Sequence, residues 1–405
     1  MGTTTRPTND SAGDVHWDGP LAIAACMCGC VAAYGVYLAL PLILGALADT
    51  YGFSNRQIGW IGSAENAGLL LGSVAVSWLA KAGGYRRLAI AGIAIAMAGN
   101  MATLLLNSFA GFASVRLLTG LGSGMCYSAA IACLSLTRRS SRNFSVFVVI
   151  LVLANSAELW LVPSLVARMG IRGLYVALGL LYVAPLMLLR FVPALVRPPS
   201  LASAPGIDAA RPTDAVLTSN AWWCLSAVVL FGVAASAFWA YSERIGISIG
   251  MTEAAVSKTL TLCNLFSLTG SVLAYRLSRR WGQHRPQLAA IAVMIAVFAA
   301  WSAGISVSGY VVGVLLFFEV WSMASVYQLG TLTTIDHSGR YVALVPAAQG
   351  IGQSAGPFLA GLLLGRQFTF PQMLMSVTLF AVACFATYAS VYRRLRRFSV
   401  RIANA

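Results

Sequence analysis

Long apolar runs alternate with short polar segments along the chain. Most runs are long enough for a helix to cross a bilayer, which takes about 20 residues. Backbone N–H and C=O groups in lipid must be satisfied within their own segment, so each run is predicted to be a helix. The pattern predicts an all-α polytopic membrane protein with twelve transmembrane helices, at residues 19–47, 56–80, 86–107, 109–136, 142–167, 171–195, 220–243, 253–278, 286–306, 308–332, 340–365 and 370–393.

One segment of the chain occurs twice. The stretch from Gly52 to Arg87 returns in altered form from Gly250 to Arg285. Aligned on their first glycines, both copies have a Ser or Thr helix N-cap two residues later, then an asparagine, a Gly-Ser-Val triplet and a basic end. A repeat of about half the chain length indicates two similar halves rather than a solenoid of short units.

The apolar runs divide the chain into five predicted regions. Residues 1–18 are polar, lack a signal-peptide pattern and are expected to form a cytoplasmic tail. Residues 19–195 and 220–393 form the two six-helix halves, and residues 196–219, rich in Pro, Ala and Ser, form a cytoplasmic linker. Residues 394–405 form a basic cytoplasmic tail.

Composition and charge agree with a membrane protein in contact with the lipid bilayer. Hydrophobic residues make up 59% and charged residues 10% of the chain, whereas soluble domains carry about 25% charged residues. The net charge of +15 does not indicate a nucleic-acid partner, because Lys and Arg lie in short clusters between apolar runs. These clusters favour one side, which predicts cytoplasmic N- and C-termini, and the compact loops suggest a bacterial inner (plasma) membrane.

The eight cysteines lie in apolar runs and predict no disulfide framework. Cys26, Cys28 and Cys30 are close in sequence, but only Cys26 and Cys30 share a helix face. We therefore expect no metal and no other cofactor. The sequence also lacks a nucleotide-binding loop, which leaves a proton gradient as the expected energy source.

Three motifs make the chain resemble major facilitator superfamily transporters over about residues 19–395. The first is GFSNRQIG before helix 2, the second is the helix 2–3 loop with Leu79, Gly84, Arg86 and Arg87, and the third is the helix 4 motif of Arg116, Gly120, Gly122 and Gly124. The resemblance implies two pseudo-symmetric six-helix bundles, with helices 1, 4, 7 and 10 around a central cavity. Lys81 stands where the family usually has an aspartate, and helix 5 lacks the glycine-proline motif of antiporters.

Four charged residues are predicted to lie within the membrane: Glu65, Arg116, Glu158 and Glu319. Each costs at least about 2.5–3.5 kcal/mol to insert and therefore needs a role. Glu65 and Arg116 lie at similar predicted depth, so we expect them to pair, with Arg116 tuning proton binding by Glu65. A purely structural ion pair is the alternative. Glu319 and Glu158 are candidates for substrate or proton binding, or else protonated packing residues.

Polar and aromatic residues at helical spacing are candidates for lining the cavity. They are Tyr34, Tyr37, Asn155, Trp239, Asn264, Trp321, Tyr327, Gln349 and Gln353. Packing and interhelical hydrogen bonds are the alternative for all of them. Glu243 and Arg244 end helix 7 and are expected to lie in water.

The sequence predicts a secondary active transporter that moves a small organic solute by alternating access, coupled to protons, and that works as a monomer. A multidrug efflux pump of the same fold, a proton-independent uniporter and a non-transporting receptor are the alternatives. An enzyme is not expected, because the chain has no Ser–His pair at membrane depth and no soluble catalytic domain.

Overall fold

The computed structural model describes residues 19–192, 212–336 and 341–403, and these residues form an all-helical protein. Its helices are α1 Pro20–Leu38, α2 Leu40–Tyr51, α3 Asn55–Gly83, α4 Tyr85–Thr103, α5 Phe109–Ser135, α6 Ser140–Leu180, α7 Val183–Leu188, α8 Pro212–Ser248, α9 Glu253–Trp281, α10 His284–Ser302, α11 Val307–Ile335, α12 Val345–Gly365 and α13 Phe370–Ala403. Short 3-10 turns at Leu189–Phe191 and Val342–Leu344 extend α7 and precede α12.

These elements make up twelve membrane helices within the described part of the chain, as predicted. One predicted helix is divided in the structure, and one predicted break appears as a kink. The first predicted helix, 19–47, is broken at Ala39 into α1 and α2, because Pro41 lacks an N–H group to continue the hydrogen-bond ladder. The predicted break between helices 142–167 and 171–195 is a kink at Gly170 within α6, where φ is 67° and the backbone is not helical.

The two copies of the repeated segment fold alike. Helices α3 and α9 each contain 29 residues, and both begin with an N-cap hydroxyl, from Ser54 and from Thr252, that accepts a backbone N–H. The turns that precede and follow α3 and α9 contain four glycines with positive φ, namely Gly52, Gly84, Gly250 and Gly282. Residues with a side chain rarely adopt this backbone conformation. The sequence repeat is therefore a repeat of structure.

Helices extend into the two predicted regions that flank the C-terminal half. The predicted linker extends to residue 219, but α8 already begins at Pro212, a residue that suits the first turn of a helix. The predicted basic tail begins at residue 394, but α13 continues to Ala403. The predicted tail at residues 1–18 and most of the linker lie outside the described residues.

In the described part of the chain, seven helical stretches are long and apolar enough to cross a bilayer unaided, and one of them, Ser140–Phe191, contains two of the membrane helices. Other helices, such as α3, carry more polar residues, and α3 packs between α5 and α12. A polar helix can lie in a membrane when its polar side chains face neighbouring helices rather than lipid.

The helices pack as two sets. We call α1–α7 the N bundle and α8–α13 the C bundle. The main contacts between the bundles are α3 with α12, α6 with α9, and α2 with α8. We call the end of the molecule with the turns at Gly52 and Gly250 the Gly52 end, and the opposite end, with the turns at Gly84 and Gly282, the Gly84 end.

Candidate functional site

Glu65 of α3 and Arg116 of α5 lie together inside the N bundle. Arg116 Nη1 is 3.4 Å from Glu65 Oε2, and the two residues are only 1% and 3% exposed. The structure thus brings together the two charges that the sequence places at similar depth. An ion pair avoids the high free energy of an isolated buried charge.

Arg116 also makes hydrogen bonds that the sequence analysis did not predict. Its guanidinium donates to Asn100 Oδ1 at 3.1 Å, Thr103 Oγ1 at 2.7 Å and Thr119 Oγ1 at 3.0 Å. It also lies 4.8 Å from the centre of the Tyr175 ring. Asn100 is a polar residue in an apolar helix, and this pattern could have identified it from the sequence as a partner of Arg116. These partners belong to α4, α5 and α6, so Arg116 is held from within the N bundle.

The glycines of the helix 4 motif allow close packing on two sides. A Cβ at Gly120 or Gly124 would collide with the backbone oxygens of Glu65 and Leu69 in α3. A Cβ at Gly122 would collide with the backbone oxygen of Gly92 in α4. Small residues let two helix backbones approach closely, so this motif positions Arg116 against α3 and α4.

Glu158 of α6 points toward α1. Its Oε1 would lie 3.3 Å from a Cβ at Gly35, and Leu178 borders the same point. Its Oε2 is buried, and no described residue donates a hydrogen bond to it. Glu158 is therefore a carboxyl group in a largely apolar setting, one helical turn from Asn155 at the interface between the bundles.

Glu319 of α11 lies against α9. Its Oε1 accepts a hydrogen bond of 2.7 Å from the Thr269 hydroxyl, and its Oε2 would lie 2.8 Å from a Cβ at Gly270. Glu319 is half-buried and Thr269 is exposed. The structure does not bring Glu319 together with Glu65 or Glu158, which belong to the N bundle.

Three hydrogen bonds between the bundles end on carbonyl groups that prolines leave free. A proline cannot donate to the carbonyl four residues earlier, and here Pro41, Pro163 and Pro357 leave those carbonyls to partners in the opposite bundle. Trp239 Nε1 donates to Tyr37 O at 3.1 Å, Ser257 Oγ donates to Leu159 O at 2.5 Å and Asn66 Nδ2 donates to Gln353 O at 2.9 Å.

Asn66 and Asn264, which occupy equivalent places in the repeat, both bridge the bundles. Asn264 Nδ2 donates to Val152 O at 3.1 Å and to Ser156 Oγ at 2.8 Å. Asn155 Nδ2 donates to Asn264 Oδ1 at 3.1 Å. Asn66 and Asn264 thus both form interhelical hydrogen bonds across the interface in this conformation.

The expectation that Glu243 and Arg244 lie in water is wrong. Glu243 is 3% exposed, and Arg244 Nη2 lies 2.7 Å from Asp49 Oδ2 of α2. Arg244 also donates to the carbonyl oxygen of Gly45. The end of helix 7 is buried because it packs against α2 at the Gly52 end, a long-range contact that local hydropathy cannot show.

The aromatic candidates for the cavity lie in different environments. Tyr34 is half-buried and its ring lies 4.3 Å from that of Tyr127, and the rings of Trp239 and Trp321 are 6.4 Å apart. Tyr327 does not line a cavity here: it is 1% exposed and donates to Ala274 O at 2.9 Å, between α11 and α9. The remaining three candidates are buried or half-buried: Tyr37, Gln349 and Gln353.

A family model described as the Major Facilitator Superfamily matches residues 25–336, which is more than half of the chain. The chain belongs to the major facilitator superfamily. It is therefore a multi-pass membrane transporter of a small solute, and not an enzyme. Comparison with curated proteins finds no relative that matches this sequence.

Solved structures of other major facilitator superfamily transporters have the same fold. A bacterial homologue of the human lysosomal transporter Spinster, inward-facing and unoccupied, gives a TM-score of 0.75 at 11% identity, covering 94% of this chain and 99% of that one. A D-xylose-proton symporter gives 0.73 at 14% identity, covering 92% and 96%. An auto-inhibited peptide transporter of the POT family gives 0.71 at 15% identity, covering 93% and 96%. At these identities the likeness shows the fold alone.

The superfamily-like loop between helices 2 and 3 forms a tight turn. Gly84 has φ 73° and its N–H donates to Ala80 O, which ends α3. Arg86 donates to Val192 O at 3.3 Å, tying the turn to the end of helix 6. Leu79 and Arg87 are exposed. The departure at Lys81 leaves this turn without the aspartate that the superfamily usually has there.

Proposed function

We propose that this protein is a secondary active transporter that moves a small organic solute by alternating access and couples that movement to protons. The observation that carries the proposal is the carboxyl group of Glu158, whose buried Oε2 has no donor among the described residues, beside an interface held by single side-chain hydrogen bonds. The positive-inside pattern further suggests that the Gly52 end faces outward, away from the cytoplasm.

The interface supports a rocking motion. The hydrogen bonds and ion pairs described between the bundles run from Asp49 and Arg244 at the Gly52 end to Asn66 and Gln353 near the middle of the helices. Most are single side-chain bonds to carbonyl oxygens, and each contributes only about 0.5–1.5 kcal/mol. Opening the Gly52 end would exchange these bonds for bonds to water, which keeps the two conformations close in free energy.

Glu158 is the carboxyl group best suited to carry a proton in the N bundle. Glu158 is half-buried, and its Oε2 is buried without a donor among the described residues. A carboxylate oxygen in that position is costly when charged, whereas a neutral carboxyl group is tolerated. Asn155, one turn away on the same helix, donates to Asn264 across the interface. A change of charge on Glu158 would thus act next to a contact that must break when the bundles separate.

Glu65 and Glu319 have different proposed parts. Arg116 compensates Glu65, so this pair serves as a charged anchor for α3 and α5 and modulates proton binding only indirectly. Glu319 accepts a hydrogen bond from Thr269 and is half-buried, so it is the proposed proton or substrate contact in the C bundle. The substrate would be recognised between the bundles.

The test is substrate-driven proton movement in proteoliposomes that contain a pH-sensitive dye. A panel of organic acids and cationic dyes is added in turn to the original protein and to Glu158→Gln, Glu158→Asp, Glu319→Gln and Glu65→Gln. We expect one class of solute to move protons, with loss of coupling in Glu158→Gln and retention in Glu158→Asp, which keeps a titratable group.

Two outcomes would contradict the proposal. Solute movement without proton movement, unchanged in all four variants, would identify a uniporter with structural carboxyl groups. Expulsion of many unrelated cationic dyes would favour the multidrug efflux alternative over transport of one class of solute.

A further inference from the structure

Glu243 is a buried carboxyl group whose position was not expected from the sequence. It lies near the end of α8, where the C bundle meets α2 of the N bundle, and it is 3% exposed. Its carboxyl oxygens occupy the space that a side chain at Gly45 would fill. The absence of a side chain at Gly45 therefore makes room for this carboxyl group at the interface.

The charges around Glu243 do not balance. Arg244 is its positive neighbour, with Nε 3.3 Å from Glu243 Oε2, but the Nη2 of the same guanidinium is 2.7 Å from Asp49. Glu243 Oε2 is buried and receives no hydrogen bond within the described ranges of the chain. One cation is thus shared between two carboxyl groups, and the one in Asp49 has the shorter contact and is 55% exposed.

Among the residues that the structure describes, the other groups that face Glu243 do not add positive charge. A cavity of about 70 Å³ beside it is lined by Glu243, Asp49 and the exposed carboxyl group of Glu253 from α9. Tyr310 of α11 packs nearby, and its hydroxyl donates to Ser242 O at 2.7 Å. The α6 residues in the lining are apolar, namely Val162, Pro163 and Val166. The cavity has room for a few water molecules, which could bring a proton to the carboxyl group.

We propose that Glu243 is a proton-binding site that is occupied while the bundles are closed at the Gly52 end and is emptied when they separate. The inference rests on the alternating-access motion proposed above. In the closed state, a proton on a carboxyl oxygen of Glu243 leaves Arg244 free to pair with Asp49. On opening, water solvates Glu243 and Arg244, and the proton leaves to water, so that the carboxylate and the guanidinium separate as hydrated ions.

This proposal assigns a direction to the effect of pH. A ligand that binds one of two conformations more tightly shifts the equilibrium toward that conformation. Here the ligand is the proton and the favoured conformation is the closed one, so lower pH favours closure of the Gly52 end. One fully linked proton changes the ratio of closed to open molecules by at most about tenfold per pH unit.

The test measures the distance between the bundles at the Gly52 end. Spin labels at Met169→Cys of the N bundle and Ser308→Cys of the C bundle, both at exposed positions, are introduced into the full chain after replacement of its eight native cysteines. Distance distributions are recorded by double electron–electron resonance in lipid nanodiscs, without substrate, over about four pH units, which covers the titration of one linked carboxyl group.

We expect the short-distance population to fall as the pH rises. Glu243→Gln, which mimics the protonated side chain, should stay closed across the pH range, and Glu243→Asp should retain a pH response. Asp49→Asn should lower the closed population at every pH, because it removes the partner of Arg244 without removing the proton site.

The proposal is overturned if Glu243→Gln responds to pH as the original protein does, or if the distances do not change with pH while an added substrate still changes them. Both results would reject the proposed role of Glu243 without contradicting alternating access. A distance distribution that no pH, substrate or substitution changes would contradict the motion itself, and with it both proposals.

Discussion

Replacing Pro357 by alanine should open the Gly52 end of the molecule. The substitution restores a backbone N–H in α12 that can bond to the carbonyl of Gln353, and this is the acceptor that Asn66 now uses at 2.9 Å. The helix itself gains stability in both conformations, since proline in a helix interior costs about 3 kcal/mol. That gain cancels between the two conformations, whereas the loss of the Asn66 bond affects only the closed one.

The size of the shift follows from the cost of an unpartnered buried amide. Asn66 is 3% exposed, and a buried donor without an acceptor costs about 1–3 kcal/mol. Because 1.4 kcal/mol corresponds to a factor of ten, the ratio of closed to open molecules should fall by about 5- to 150-fold. The substitution removes side-chain volume, so it introduces no clash with α3.

The labels at Met169 and Ser308 report this shift as loss of the short-distance population. Pro346→Ala is the matched control in the same helix. Pro346 lies in the first turn of α12, where the missing N–H has no helical acceptor, so its replacement should leave the ratio unchanged. The reasoning is refuted if Pro346→Ala and Pro357→Ala shift the ratio equally, or if Asn66→Ala and Pro357→Ala have fully additive effects, since both are expected to remove the same bond.

Three further predictions concern the bundles themselves. Arg116→Met should lower the thermal unfolding midpoint in detergent sharply, because leaving the buried Glu65 charge unpaired costs about 3–5 kcal/mol; adding Glu65→Gln should restore part of the loss, and no restoration would contradict the pairing. Gly124→Ala should cost about 1–3 kcal/mol by overpacking against Leu69, and an unchanged midpoint would show that α3 and α5 adjust without strain. Asn264→Ala should weaken the α6–α9 contact and lower the closed population, which the spin labels would report; an unchanged population would mean that this bridge does not hold the closed state.

The sequence by itself predicts the twelve helices, the repeat and the Glu65–Arg116 pair. These features depend on local chemistry: a run of apolar residues must be helical in lipid, and a charge at membrane depth is stabilised by an opposite charge at similar depth. The N-caps at Ser54 and Thr252 and the glycines in the turns before and after α3 and α9 are also local features, so both copies of the repeat could be recognised from residue types alone.

The tertiary structure decided which residues meet between the bundles. Pro41, Pro163 and Pro357 are visible in the sequence, but their free carbonyls could have been satisfied by water or by a neighbour in the same bundle. Only the packing of the two bundles brings Trp239, Ser257 and Asn66 to them. The same packing buries Glu243, which local hydropathy assigns to water, because burial of a residue at a helix end depends on the distant segment that covers it.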